Sequence, residues 1–220
     1  MELSERMKKY EAATRQQLTI RMPVIIRLDG RCFHTLTRGC IKPFDEPLRN
    51  ALVNAACSVL DDCKAKLAYL QSDEVSFLLV DYNRFNSQQW FDGIVQKMAS
   101  ISASVMSVEF SKRFGQDAAF DARVFAIPER DVTNYFIWRQ QDCMRNSLSM
   151  VAQSQFSHKE LEGKNNKAKM NMLVTKGVSF TSYPDWARYG TLITENYYAS
   201  AKLFHKNPEI IEAAIKPEEE

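Results

Sequence analysis

"KLAYLQSDEVSFLLVDY", residues 66–82, decides the fold. Two short apolar segments, around Ala68–Leu70 and Ser76–Val80, flank the polar group Gln71–Glu74. Segments this short, split by turn-forming residues, predict two β-strands joined by a tight turn. Upstream, "PVIIRLDGR" (23–31) reads as a buried strand that begins after Pro23 and ends on Asp29 and Gly30. Between strand and hairpin, Asp45 suits a helix N-cap and Pro47 a first turn. Leu48, Leu52, Val53, Ala56, Val59, Leu60 and Cys63 then mark one helix face. The order β, α, β, β therefore occupies residues 24–80.

Beyond that unit the periodicities keep alternating. Leu3, Met7, Tyr10, Thr14 and Leu18 predict an amphipathic helix, and Phe91, Ile94, Val95, Met98, Ile101 and Val105 another. The second is rich in Ala and Ser, which lets it approach a sheet closely. "AAFDARVFAI" (118–127) reads as a strand closed by Pro128, and residues 130–156 as helix. "SHKELEGKNNKAKMNML" (157–173) is polar and basic, irregular near Gly163–Asn166; "RYGTLITE" (188–195) is a last strand, and "KPEEE" (216–220) a frayed tail. Interleaved helices and strands without a repeat or low-complexity linker indicate an α/β or α+β domain.

The hairpin turn carries Asp73 and Glu74, and the first strand ends on Asp29. If the hairpin pairs beside that strand, three carboxylates converge and repel one another. A hard divalent cation resolves the conflict, since Mg2+ takes oxygen ligands, commonly one or two carboxylates with water and phosphates. Two such ions would serve in-line phosphoryl transfer. Gly30 would let its backbone approach metal or phosphate, with Arg27 and Arg31 countering phosphate charge. The same tripeptides equally suit plain turns, so spacing leaves both readings open.

Composition sets the outer limits. The chain has 220 residues, 45% hydrophobic and 25% charged, as expected of a globular domain. Its net charge of +2 supplies no bulk argument for nucleic acid, so any phosphate contact must be local. Lys159, Lys164, Lys167 and Lys169 form one basic stretch, and Arg139 and Arg188 are further candidates for RNA contact. The mixed-charge N-terminus lacks a secretory core, and no apolar stretch nears the roughly 20 residues that span a bilayer. Five cysteines, none in a CxxC pair, read as reduced thiols of a cytoplasmic protein. His158, His205, Asp61 and Asp62 read as solvated residues, and Tyr135, Phe136 and Trp138, at helical spacing, as core before RNA stacking. No Ser–His–Asp or Cys–His arrangement suggests a covalent enzyme.

Five ordered motifs make the reading specific: "RLDGRCFH" (27–34), "KPFD" (42–45), "YLQSDEVSFLL" (69–79), "FDARVF" (120–125) and "WRQQDC" (138–143). Together they resemble the tRNA(His) guanylyltransferase family and its Thg1-like relatives, over about residues 5–195, more weakly after Phe156. The resemblance implies an α+β catalytic domain like a polymerase palm, an antiparallel sheet flanked by helices. That domain would occupy residues 1–140, with 141–220 a helical and loop extension packed on it as one unit. Asp29, Asp73 and Glu74 would be catalytic, with Asp29, the Gly30 carbonyl and Asp73 holding two Mg2+ ions. Asp29, Gly30, Arg31, Cys32, Phe33, His34, Lys42, Asp45, Ser72, Asp73 and Arg123 would surround the nucleotide. Substrates would be ATP, GTP or other nucleoside triphosphates and tRNA, in a homotetramer.

The implied chemistry has two phosphoryl transfers. The 5′-monophosphate of tRNA attacks the α-phosphate of ATP, and the 3′-hydroxyl of an incoming nucleotide then displaces AMP, so the strand grows 3′ to 5′. One departure matters. Members dedicated to a single guanosine on tRNA(His) carry His-Ile-Asn-Asn where this chain has Met144, Arg145, Asn146 and Ser147. Only Asn146 is retained, which favours templated repair of truncated 5′ ends over guanosine addition to tRNA(His). More distant alternatives keep the palm for a nucleotidyl cyclase, or for RNA binding without turnover. Asn146, with Arg139, Lys164, Lys167 and Arg188, completes the expected tRNA contacts.

Overall fold

The computed structural model describes residues 1–82, 86–195 and 197–216. In chain order the elements are α1 (Leu3–Ala12), β1 (Val24–Gly30), α2 (Phe33–Leu36), α3 (Glu46–Cys63), β2 (Leu67–Gln71) and β3 (Glu74–Leu79). They continue with α4 (Val95–Phe114), β4 (Phe120–Ala126), α5 (Glu129–Gln155), α6 (His158–Leu161) and α7 (Asn166–Thr175). Last come α8 (Asp185–Tyr189), β5 (Thr191–Ile193), β6 (Tyr198–Ser200) and α9 (Glu209–Ile215). One six-stranded sheet, ordered β4-β1-β3-β2-β5-β6, is antiparallel at every pairing. The class is α+β, with helices on both faces of a palm-like antiparallel sheet.

Strand β1 is central, which explains its unbroken apolar run. Val24, Ile26 and Leu28 join the core built with α3 and α4, while Ile25 joins the core built with α5 and α9. A third, smaller core of Leu148, Val151 and Leu173 locks the distal half of α5 to α7. Helix α5 runs without a break through residues 129–155, and β5 hydrogen-bonds to β2, so the chain after residue 140 shares the same helix and sheet.

Local signals account for most boundaries. Asp45 caps α3, accepting from the Leu48 N–H at 2.8 Å, and Pro47 sits in the first turn. Three boundaries differ from the periodicity. Helix α1 stops at Ala12, because Gln16 and Leu18 are drawn into extended hydrogen bonds with Val95 and Gly93 (3.0 and 2.9 Å). No residue of α1 is buried. Helix α4 starts at Val95 and not near Phe91, because Phe91 and Asp92 hold left-handed backbone conformations, φ 49° and 54°. The strand expected over residues 188–195 is confined to Thr191–Ile193, since Arg188 and Tyr189 belong to α8. Gly190 separates them at φ 81°, where a Cβ would lie 2.6 Å from the Tyr69 ring. Neither β6 nor α9 was expected. Of the tail "KPEEE", residues 217–220 lie outside the described residues.

Candidate active site

Antiparallel register assembles the acidic corner. Asp29 stands opposite Glu74 on β3 and opposite Asp121 on β4. One step back, Arg27 stands opposite Ser76 and Arg123. Directly opposed residues share a face, so an acidic row and a basic row lie side by side on the α5 side of the sheet. The β2–β3 turn is two residues long, with Ser72 left-handed at φ 49° and its hydroxyl donating to the Asp73 carboxylate at 3.0 Å. The Gly30 N–H donates to the Asp73 carbonyl at 3.2 Å, which fastens the hairpin tip to the end of β1.

The three expected carboxylates are not equivalent. Burial, then repulsion from Glu74 and Asp121, pushes the Asp29 carboxyl above its ordinary range, with Arg27 and Arg123 only partly offsetting. Burial also raises Asp73, against the Ser72 hydrogen bond that lowers it. Among the described residues, no Lys or Arg makes an ion pair with either one. Glu74 is fully engaged: Arg139 Nε and Nη2 donate to its two oxygens at 2.7 and 2.8 Å, and Gln71 donates at 3.0 Å. Among the described residues no group of three or more His, Cys, Asp or Glu side chains forms a metal cage. Two desolvated, mutually repelling carboxylates, with Gly30 beside them in the lining, offer the oxygen donors that Mg2+ takes.

Gly30 has a second reason to be glycine. A Cβ there would come within 2.2 Å of the Phe33 ring. That ring is 5% exposed and packs on Phe110 and Phe120 at 5.3 and 5.1 Å. Phe33 therefore anchors the 30–34 loop in the core, and its ring is not free to meet a base. Cys32, left-handed at φ 58°, and His34 are exposed at the same loop.

A cleft of about 700 Å³ runs from this corner across the ends of β2 and β3 to α5 and α8. Of the expected nucleotide residues it is lined by Asp29, Gly30, Cys32, Phe33, His34, Lys42, Asp45, Ser72 and Asp73. Lys42 and Asp45 are partly committed: Lys42 Nζ donates to the Thr37 carbonyl at 3.0 Å, and Asp45 also accepts from the Ile41 N–H at 2.8 Å. Arg31 and Arg123 lie outside the lining, although Arg123 still acts on Asp29 through its charge.

The expected RNA contacts separate. Asn146 and Arg139 line the cleft, but Arg139 is 5% exposed and spent on Glu74 and Asp142. Arg188 donates to the Tyr183 carbonyl, the Tyr189 hydroxyl and Asp185, which holds α8 together and removes it as a free cation. Lys164 and Lys167 remain exposed around the start of α7, away from the cleft. Tyr135 and Phe136 are core, as their spacing implied, while Trp138 is half exposed with the Arg139 guanidinium over its ring at 4.4 Å.

Sequence reasoning missed Arg49, Gln71, Asp142 and Trp186, which line the same cleft. Arg49 lies against Trp186 and Tyr198 (5.5 and 5.2 Å) and donates to Thr191 at 3.3 Å. It also donates to the neighbouring Asn50 at 3.0 Å, but its other partners come from α8, β5 and β6, so the pattern of α3 does not announce it. Asp142 lay inside the "WRQQDC" motif, where a signal was available.

A palm-like antiparallel sheet thus brings two carboxylates, without an ion pair among the described residues, to the mouth of a cleft, an arrangement that suits a nucleotidyltransferase. The family model for tRNAHis guanylyltransferase, Thg1, matches residues 4–128. A bacterial tRNA(His) guanylyltransferase (Thg1)-like protein solved with ATP superposes with a TM-score of 0.94 at 39% identity, covering 97% of this chain and 99% of that one. A bacterial Thg1-like protein solved with GTP gives 0.87 at 37% identity, covering 96% and 98%. Among curated relatives, the tRNA(His) guanylyltransferase of Debaryomyces hansenii is 26% identical over 79% of this chain and 74% of its own length. The chain belongs to the tRNA(His) guanylyltransferase family, nucleotidyltransferases that act on the 5′ end of tRNA.

Proposed function

We propose that this protein is a Mg2+-dependent 3′-to-5′ nucleotidyltransferase that rebuilds truncated 5′ ends of tRNA by copying the opposite strand. The observation that carries the reading is the meeting of Asp29 and Asp73, from the end of β1 and the β2–β3 turn, at the cleft. Similarity to Thg1-like proteins solved with ATP and with GTP supports nucleoside triphosphates as its substrates. Asp29, the Gly30 carbonyl and Asp73 would hold two Mg2+ ions, which supply charge neutralisation at the transferring phosphate.

The chain's own residues then position. His34, Cys32, Lys42 and Ser72 border the space for one nucleotide, and Arg27 and Arg123 place positive charge beside the acidic row. No side-chain nucleophile is needed, because the tRNA 5′-phosphate and the nucleotide 3′-hydroxyl are the attacking groups. Catalysis rests on alignment and electrostatics. Exposed Lys164 and Lys167 suit contact with the RNA backbone.

Repair is favoured over tRNA(His) maturation by residues 144–147. Ser147 is buried and donates to the Ala187 carbonyl, and Arg145 and Asn146 both turn to Asp142. Ser147 and Arg145 thus serve internal contacts at positions where dedicated guanosine-adding members carry Asn and Ile. A cytoplasmic homotetramer completes the reading: all five cysteines are free, and Leu3, Met7 and Tyr10 leave an apolar face of α1 exposed. The test is incubation with 5′-monophosphorylated tRNAs truncated by one nucleotide, ATP and each labelled nucleotide. Incorporation should follow the base opposite. Guanosine addition regardless of the template would instead assign tRNA(His) maturation, and no 5′ growth would remove the proposal.

A further inference from the structure

Glu74 neighbours Asp29 and Asp73, yet only Glu74 has a strong cationic partner. Arg139 grips both Glu74 oxygens, at 2.7 and 2.8 Å, and its Nη2 also donates to Asp142 at 2.9 Å. Its side chain is 7% exposed and that of Glu74 13%, so this fork-on-fork pair is shielded from water. The indole of Trp138 covers the guanidinium at 4.4 Å. Gln71 donates to Glu74 Oε1 at 3.0 Å, and Arg27 Nε stands 3.9 Å from Oε2. Every direction in which Glu74 could swing toward Asp29 costs a charge-assisted hydrogen bond. Behind Arg139, Asp142 is itself held by Arg145 at 2.9 Å, which fixes the clamp to the next turn of α5.

We propose that Arg139 is a positioning residue that withholds Glu74 from the metal, so that the site holds its ions through Asp29, Asp73 and the Gly30 carbonyl alone. Arg139 also contributes one positive charge beside the carboxylates, which its removal takes away. The inference rests on the proposed metal-dependent reading. It goes beyond it by giving one arginine of α5, expected to meet RNA, the work of deciding which carboxylates are ligands.

The two members of the clamp should shift metal affinity in opposite directions. Mn2+ binding to the purified full chain without RNA or nucleotide, followed by electron paramagnetic resonance, reads this apart from turnover. Arg139→Gln should bind Mn2+ about tenfold more tightly, because an unscreened Glu74 adds negative charge and becomes a third ligand. Glu74→Gln should bind it several-fold more weakly, because the Arg139 charge then faces the site without Glu74 to offset it and keeps only Asp142 as a partner. The double variant Arg139→Gln/Glu74→Gln should return to within about twofold of the parent. Were Glu74 itself a ligand, the double variant would stay as weak as Glu74→Gln, which overturns the proposal. Arg139→Lys, which keeps the charge without the fork, should leave Mn2+ affinity near the parent value while 5′ extension falls. A merely structural Arg139 would instead loosen Mn2+ binding and melting temperature together in all Arg139 variants. Parent protein that binds Mn2+ but extends no RNA would fail the proposed function and leave this inference standing.

Discussion

Two neighbouring places at one end of the sheet treat the same chemical group in opposite ways. At Glu74, a carboxylate is paired with an arginine, hydrogen-bonded on both oxygens and nearly sealed from water. Asp29 and Asp73, partly buried carboxylates, make no ion pair among the described residues, and their protonation is favoured by burial. The first arrangement stabilises a fold; the second is costly until a ligand arrives. Where a protein leaves buried charge unbalanced beside an open cleft, a functional ion or substrate is the physical explanation that balances it.

The sharpest way to break this contrast is to remove the unbalanced side. Asp29→Ala or Asp73→Ala should lower 5′ extension by about 10³-fold or more while circular dichroism remains unchanged. Retained activity would move the reaction elsewhere. Next in size is the balanced side: Arg139→Ala leaves Glu74 buried and unpaired and should cost about 3–5 kcal/mol in urea unfolding. Arg139→Met/Glu74→Gln should cost much less, since Glu74 is then no longer left as a stranded charge.

Gly30→Ala probes the hinge between the two places. It forces the Phe33 ring off its seat and should cost about 1–3 kcal/mol, with weaker nucleotide binding measured by fluorescence titration. Smaller still is a gain in stability. In metal-free protein, Asp29→Asn or Asp73→Asn should raise the melting temperature by about 2–4 °C, a gain on the order of 1 kcal/mol. The sign follows from linkage: folded-state values raised above the unfolded ones contribute stability below the ordinary carboxylate range, lost as pH rises through the raised values. The gain should therefore be present at pH 7 and shrink towards acid pH. The smallest effect belongs to Lys164→Ala and Lys167→Ala, each lowering the log–log salt slope of tRNA binding by about 1.

The legible and illegible parts of the chain divide by the range of their interactions. The unit from β1 to β3 could be read because its signals are local: Pro23 before a strand, Asp45 and Pro47 at a helix start, Ser72 and Asp73 in a two-residue turn. Asp29 and Asp73 followed once the hairpin was placed beside β1, as the register places it. Helical spacing runs on to Leu18, beyond the end of α1, while the backbone of Leu18 is claimed by Gly93, 75 positions away in the chain. Strand β6 and helix α9 were missed because a three-residue edge strand and a seven-residue helix carry too few periodic positions to declare themselves.

The sequence alone determined the antiparallel hairpin, the central buried strand and the carboxylates at their ends, because turn chemistry and side-chain alternation act over a few residues. Its ordered motifs determined the family. Only the tertiary structure decided the use of each residue. It sent the Phe33 ring to the core, spent Arg188 on α8, set Arg49 against Trp186 and Tyr198, and gave Glu74 to Arg139, 65 positions away. Charge pairing and aromatic packing depend on distance in space, and neighbours brought together by a sheet and a 27-residue helix leave no mark in local spacing.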